Sequence, residues 1–188
     1  GYASKLVNYI ELCAEKNNTD FLTVAFGANR ALLRFWHQLG FLPVKLSHKP
    51  EVSSGEHSCI LIKQLSTSLL CMLEEITTEF CYDLAFYMDK ALKNLSAEVL
   101  LEVLINSRRN PTTLNLPIVR QFISKKRNLS NCKRVLAVAF VGQLNNLKKL
   151  AIDDQNFLTS VLLQNISYEE ITKLYGLTGT KQIEQKVR

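Results

Sequence analysis

The stretch Gly1-Tyr2-Ala3-Ser4 opens directly into a segment with the apolar periodicity of a helix. The first backbone N–H groups of a helix have no partner within it, and the helix dipole places partial positive charge at the same end. Gly1 has no side chain to keep a ligand away from the backbone, and Ala3 carries only a methyl group. The stretch is therefore a candidate binding site for an anion such as a phosphate.

His57 follows Glu56 in the loop sequence SSGEHS. An imidazole can accept the proton that an amine loses when it becomes an amide. A loop histidine that simply precedes a strand explains the same pattern, and we favour that interpretation. His37 and His48 have no neighbouring groups of this kind, and no serine or cysteine is paired with a histidine at a spacing typical of nucleophilic catalysis. The catalytic residues stay unassigned.

Basic side chains cluster in the second half of the chain, where five positive charges fall within residues 125–134. Such patches bind phosphate backbones, although a solvated helix end explains them equally well. The net charge of +6 permits a nucleic-acid partner without requiring one. The candidate RNA contacts are Arg108, Arg109, Lys125, Lys126, Arg127, Lys133 and Arg134.

The totals describe an ordinary globular chain of 188 residues with 47% hydrophobic residues. No apolar run approaches the roughly 20 residues that a membrane span needs, so no membrane partner is predicted. The five cysteines form no C-x-x-C pair, which predicts reduced thiols in a cytoplasmic protein with neither a metal site nor disulfides. Because the chain begins without methionine inside a helical pattern, we expect it to be part of a longer polypeptide.

Residues 1–65 alternate helical and strand patterns. The opening helix has an apolar stripe of Leu6, Ile10, Cys13 and Ala14. The predicted elements are a helix over 3–17, a strand between Asp20 and Gly27, a helix from Asn29 to Gly40, a strand at 42–46, a polar loop at 48–56 and a strand at 57–65.

From Ser66 onward helical patterns dominate, with periodicity over 68–95. Ser167 and Glu170 have the spacing of a capping box, and Gly176 suits the end of that helix. The helix pair around Gly176 is similar to a helix-turn-helix, but two packed helices need such a turn anyway, and we favour this simpler interpretation. Further predicted signals are Ser96 as the N-cap of a helix to Asn106, Pro117 in a first turn, Ser130 or Asn131 as the N-cap of LAVAFVGQL, and a last helix with Ile183.

Asn29, Trp36 and Gly40-Phe41 together resemble the second half of a GCN5-related acetyltransferase domain, N-x-x-A-x-x-x-Y-x-x-x-G-F. With SSGEHS downstream, the chain resembles the C-terminal part of the bacterial tRNA(Met) cytidine acetyltransferases. Trp36 stands where many relatives have a tyrosine acid, but an indole cannot act as an acid near neutral pH. The interpretation of Trp36 as a core aromatic is therefore favoured.

The resemblance implies acetyl-CoA as cofactor, because Gly1-x-Ala3 matches the second half of the family's pyrophosphate loop, [QR]-x-x-G-x-[GA]. It implies cofactor contacts at Gly1, Tyr2, Ala3, Ser4, Asn29, Ala31 and Gln38. It also implies acetylation of the exocyclic amine of a tRNA cytidine, at the anticodon wobble position of elongator tRNA(Met). The ATP-dependent module of such relatives is not encoded in this chain.

The predicted fold class is α+β: a partial GCN5-related fold with a mixed α/β sheet at 1–65, followed by an all-α domain at 66–188. The resemblance implies that this second domain binds tRNA. A non-catalytic helical module that binds RNA or protein stays an open alternative. An acetyltransferase acting on another amine is also open.

Overall fold

The computed structural model describes residues 1–66, 70–107, 115–147 and 149–188. It divides into two compact units, one formed by Gly1–Phe86 and the other mainly by Tyr87–Ile105 and the described residues from Asn115 onward. The α+β prediction is confirmed. The first unit continues through most of the helix that begins at Leu70, and a domain boundary at 65/66 stays a prediction.

Helices and strands follow one another with short connections. The strands are β1 (Phe21–Gly27), β2 (Leu42–Pro50) and β3 (His57–Gln64). The helices are α1 (Tyr2–Lys16), α2 (Arg30–Gln38), α3 (Leu70–Tyr87), α4 (Ala97–Asn106), α5 (Leu116–Ile123), α6 (Lys133–Gly142), α7 (Leu144–Leu147), α8 (Ile152–Leu162), α9 (Tyr168–Tyr175) and α10 (Thr180–Val187), with a 3-10 turn at Leu129–Asn131.

The first unit contains an antiparallel sheet in the order β1-β3-β2. β3 is the central strand, and its Cys59 and Leu61 are fully buried. Burial raises the pKa of the Cys59 thiol to about 12, so this thiol stays protonated. Among the described residues, the second edge of β1 has no paired strand.

α1 is attached to the sheet by an ion pair between Glu11 and Lys63 of β3, with the charged atoms 2.6 Å apart. The predicted apolar stripe of α1 is wrong in its first half, because Leu6 and Ile10 are exposed and Val7 is the buried residue. The sheet covers only part of the helix surface, and periodicity alone does not show which apolar positions find a neighbour.

The second unit has its core around α8, whose Phe157 and Val161 are fully buried. α9 begins with the predicted capping box of Ser167 and Glu170, and Gly176 ends it in the left-handed conformation at φ 62°. Ile183 of α10 is fully buried, as expected.

Three element boundaries differ from the sequence prediction. β2 continues to Pro50 instead of giving way to a loop at 48, because it keeps pairing with β3 through two register shifts. α3 ends at Tyr87, and residues 88–95 form turns. α6 begins at Lys133 after Cys132, and the side chain of Asn128 caps the preceding 3-10 turn instead.

Within the described ranges, no helix is long and apolar enough to cross a membrane. The same residues contain no cluster of three histidine, cysteine or acidic side chains arranged for a metal ion. The five cysteines are unpaired.

Candidate acetyl-CoA and RNA sites

The junction between β1 and α2 is built from Gly27, Ala28 and Asn29. The backbone N–H of Ala28 donates to the carbonyl of His57 at 2.7 Å, which ties the junction to the start of β3. Asn29 is extended and its Oδ1 accepts the backbone N–H of Leu32 at 3.0 Å, so its side chain caps α2. The asparagine that the sequence marked as a cofactor contact thus has a clear local role.

Gly27 lies against the side chain of Glu56. A Cβ at position 27 would overlap Glu56 Oε2 and lie 3.0 Å from the carboxyl carbon. The absence of a side chain at Gly27 therefore lets the Glu56 carboxyl group rest on the end of β1. Sequence reasoning missed this contact, because 29 positions separate the two residues.

His57 is nearly buried, with 9% of its surface exposed. Its Nδ1 is 2.7 Å from the carbonyl oxygen of Ser47 in β2. The hydroxyl of Ser47 accepts the backbone N–H of Ser58 at 2.9 Å and donates to the carbonyl of Lys49 at 2.8 Å. The imidazole ring is thus held where two hydrogen bonds of Ser47 join β2 to β3.

The N-terminus of α1 carries no side-chain cap on Gly1 and no acidic residue in its first turn. Tyr2 is 92% exposed, Ala3 is exposed and Ser4 is half-buried. A Cβ at Gly1 would meet no atom within 4 Å. The first N–H groups of a helix have no partner within it, so this helix end has the donors that an anion site requires.

The ion pair between Glu11 and Lys63 fixes the middle of α1 against the sheet. Lys63 pairs in register with Leu22, near the start of β1. Glu11 therefore lies beside the end of the sheet where β1 begins.

The other candidate residues of α2 either are exposed or pack against aromatic side chains. Ala31 and Gln38 are exposed. Trp36 is half-buried and packs edge-on against Phe41 and Phe35, with ring centroids 5.0 and 5.1 Å apart. These contacts fit the core-aromatic interpretation of Trp36.

Some candidate RNA contacts are exposed, and others make hydrogen bonds within the protein. Arg108 and Arg109 lie outside the described residues. Lys125, Lys126 and Arg134 are exposed and have no partner among the described side chains. Arg127 donates from Nε to Gln121 Oε1 at 2.7 Å. Lys133 donates to Asn165 Oδ1 at 2.5 Å, and burial lowers the pKa of its ammonium group.

Comparison with known proteins finds a family that matches the first part of the chain and relatives that match the whole chain. The family described as GNAT acetyltransferase 2 matches residues 4–66. The tRNA(Met) cytidine acetyltransferase TmcA of Nitrosococcus halophilus is 29% identical, over 100% of this chain and 26% of its own length. That of Methanopyrus kandleri is 25% identical, over 94% of this chain and 22% of its own length. The human RNA cytidine acetyltransferase is 47% identical over 47 residues, which are 25% of this chain and 5% of that protein.

Over its whole length the chain is similar to tRNA(Met) cytidine acetyltransferases, and residues 4–66 match the GNAT acetyltransferase 2 family. It spans about a quarter of the length of the relatives that it matches throughout. The motif from Asn29 to Phe41, on which the resemblance rested, lies inside the matched segment 4–66. The candidate RNA contacts all lie beyond that segment.

Sequence reasoning missed Arg188, which supports the segment that carries Lys125 and Lys126. Arg188 donates from Nε to the carbonyl of Phe122 at 3.0 Å, and its guanidinium group lies 4.7 Å from the Phe122 ring centroid. It also pairs with Glu184 at 3.3 Å, and Glu184 accepts the backbone N–H of Leu129 at 2.8 Å. The contacts with Phe122 and Leu129 join residues more than 50 positions apart. The only sequence signal was therefore the i,i+4 spacing of Glu184 and Arg188.

Proposed function

We propose that this chain takes part in moving the acetyl group of acetyl-CoA to the exocyclic amine of a tRNA cytidine, giving N4-acetylcytidine. The observation that carries the proposal is the match of the whole chain to relatives whose name states this chemistry. The wobble cytidine of elongator tRNA(Met) is the proposed target, since those relatives are named for tRNA(Met).

The start of α1 suits the phosphates of coenzyme A. Its first N–H groups have no partner within the helix and its first turn carries no acidic residue, and both features favour a bound anion. When bound, acetyl-CoA supplies an acetyl group already activated as a thioester. We place the phosphates at Gly1, Tyr2, Ala3 and Ser4, and the pantetheine arm along Asn29, Ala31 and Gln38.

The target amine is a weak nucleophile because it is conjugated with the cytosine ring. Holding it against the thioester therefore contributes more to the rate than base strength does. The β1–α2 junction gives the first unit rigid backbone for this task, since Ala28 and Asn29 are both fixed by hydrogen bonds.

The RNA backbone is proposed to bind the exposed cations of the second unit. We define the basic turn as residues 124–128, between α5 and the 3-10 turn. Lys125 and Lys126 project from it without partners among the described residues, and Arg134 is exposed at the start of α6. Recognition through phosphates and shape is typical of folded RNA.

The proposed acetyl-CoA site is tested by placing one negative charge at the start of α1. Tyr2→Asp should lower acetyl-CoA affinity at least tenfold in calorimetry, because the carboxylate repels the phosphates. It should not lower the melting temperature, since an acidic first turn favours the helix. Tyr9→Asp, at an exposed position of the same helix, is the matched control and should bind normally. Equal binding by all three proteins would refute the proposed phosphate site.

The proposed RNA contacts of the basic turn are tested by the salt dependence of tRNA binding. Lys125→Gln with Lys126→Gln should reduce the slope of log K against log salt concentration by roughly 1.4 to 1.8, because two phosphates lose their cation. Lys16→Gln with Lys49→Gln removes the same charge from exposed positions of the first unit and should leave the slope unchanged. tRNA binding without any acetyl-CoA binding would favour the non-catalytic RNA-binding module. An unchanged slope in the first double variant would exclude the basic turn.

A further inference from the structure

The hydrogen bond of His57 fixes which ring nitrogen carries the hydrogen. The Ser47 carbonyl oxygen, 2.7 Å from Nδ1, can only accept. Nδ1 must therefore be the protonated nitrogen and the donor. In the neutral ring, Nε2 then holds the lone pair and is the basic atom.

Nε2 of His57 makes no hydrogen bond with the residues that the structure describes. Among the residues that the structure describes, no hydrogen bond involves His57 Nε2, and it is absent from the buried polar atoms that lack a partner. With only 9% of the residue exposed, the ring has little freedom to turn. The neighbouring backbone is also fixed, since the His57 carbonyl accepts the N–H of Ala28.

The surroundings place this nitrogen beside the elements proposed to hold the acetyl donor. His57 begins β3 at the end of the sheet where β1 finishes, one residue beyond the pairing of Gly27 with Ser58. Asn29 caps α2 at the same junction. The carboxyl group of Glu56 rests on Gly27 at the same end of the sheet.

We propose that His57 is the proton acceptor of the acetyl transfer, with Ser47 as the residue that positions its ring. This inference rests on the proposed function. The amine nitrogen forms a bond to the acetyl carbonyl carbon, the carbon–sulfur bond breaks, and coenzyme A leaves as the thiolate. His57 Nε2 takes the proton that the nitrogen loses and passes it to water, so atoms and charges balance.

The test replaces the ring while keeping the hydrogen bond to β2. In His57→Asn the side-chain Nδ2 stands close to the former Nδ1 and can still donate to the Ser47 carbonyl, but no basic nitrogen is left. Single-turnover acetyl transfer from acetyl-CoA to tRNA should fall by about 100-fold or more. Acetyl-CoA affinity and melting temperature should stay near the wild-type values, and added imidazole should restore part of the rate. His48→Asn, on an exposed residue of β2, is the matched control and should keep the wild-type rate.

A second measurement is independent of activity. The 15N chemical shifts of the His57 ring in the wild-type chain should show hydrogen on Nδ1 and a pyridine-type Nε2. Hydrogen on Nε2 would overturn the inference, and so would a wild-type transfer rate in His57→Asn. A wild-type chain that neither binds acetyl-CoA nor acetylates tRNA would instead refute the proposed function itself.

Discussion

The side-chain amide of Gln164 donates a hydrogen bond to the backbone carbonyl of Leu95, with 2.6 Å between Nε2 and the oxygen. The same nitrogen lies 3.3 and 3.1 Å from the carbonyl oxygens of Leu92 and Lys93. Gln164 is 2% exposed, and its amide shares two hydrogens among three carbonyls that water does not easily reach. One side chain after α8 thus holds the whole turn that leads into α4.

Gln164→Met should therefore destabilise the protein by about 1 to 3 kcal/mol, because the substitution keeps the volume but leaves buried carbonyls without a donor. Urea denaturation measures this loss. Gln185→Met, at an exposed position of α10, is the control and should change stability by less than about 0.5 kcal/mol. Equal stability of the two variants would contradict the structural role of Gln164.

The sequence predicted elements whose ends carry their own signals. The cap of Asn29 on α2, the left-handed Gly40 after it at φ 86°, and the capping box of Ser167 with Glu170 all act within a few residues. Such contacts form whatever the rest of the chain does, and for this reason pattern and position suffice to find them.

α8 was not predicted, although six of its eleven residues are buried. Its buried positions include the polar residues Gln155, Thr159 and Ser160. Thr159 satisfies its hydroxyl on the carbonyl of Gln155 at 2.8 Å, and Gln155 donates to the carbonyl of Leu150 at 2.8 Å. Apolar periodicity cannot detect a helix whose inner side is polar and satisfied by its own backbone.

The candidate site shows the same limit. Motif spacing marked Gly1 and Asn29, because glycine at a helix start and asparagine at a cap have local causes. The orientation of His57 depends on Ser47, and the space for Glu56 depends on Gly27. Both relationships arise from strand pairing, which the sequence alone did not define.

Gly27→Ala should destabilise the first unit by about 1 to 3 kcal/mol, because the added methyl group and the Glu56 side chain compete for one volume. The backbone of Gly27 is ordinary strand, so steric overlap is the only cost. In a Glu56→Ala background the same substitution should cost much less, as measured by the denaturation midpoint. An equal cost in both backgrounds would show that Glu56 does not occupy this space.

Lys125→Gly should stabilise the protein by up to about 1 kcal/mol. Lys125 has φ 61°, and a left-handed conformation costs a residue with a side chain roughly 1 to 2 kcal/mol, which glycine avoids. Lys126→Gly removes the same charge from ordinary backbone and should give no gain. Both variants should weaken tRNA binding alike, so thermal unfolding and binding measurements separate strain from charge. A loss of stability in Lys125→Gly would contradict this assignment.

The capping box of α9 should make stability depend on acidity. Hydrogen bonds from the hydroxyl and backbone N–H of Ser167 lower the pKa of Glu170, with a smaller contribution from Lys93. A lowered pKa in the folded state means that the stabilisation is complete above the ordinary pKa of a glutamate and is lost as pH falls through the folded value. The melting temperature of wild type should therefore approach that of Glu170→Gln as the solution is acidified from neutral pH. In a Ser167→Ala background, which should itself cost about 1 kcal/mol, the main cause of the shift is gone and the two curves should run nearly parallel. A constant difference between wild type and Glu170→Gln across the acid range would contradict the role of Ser167 in holding the carboxylate.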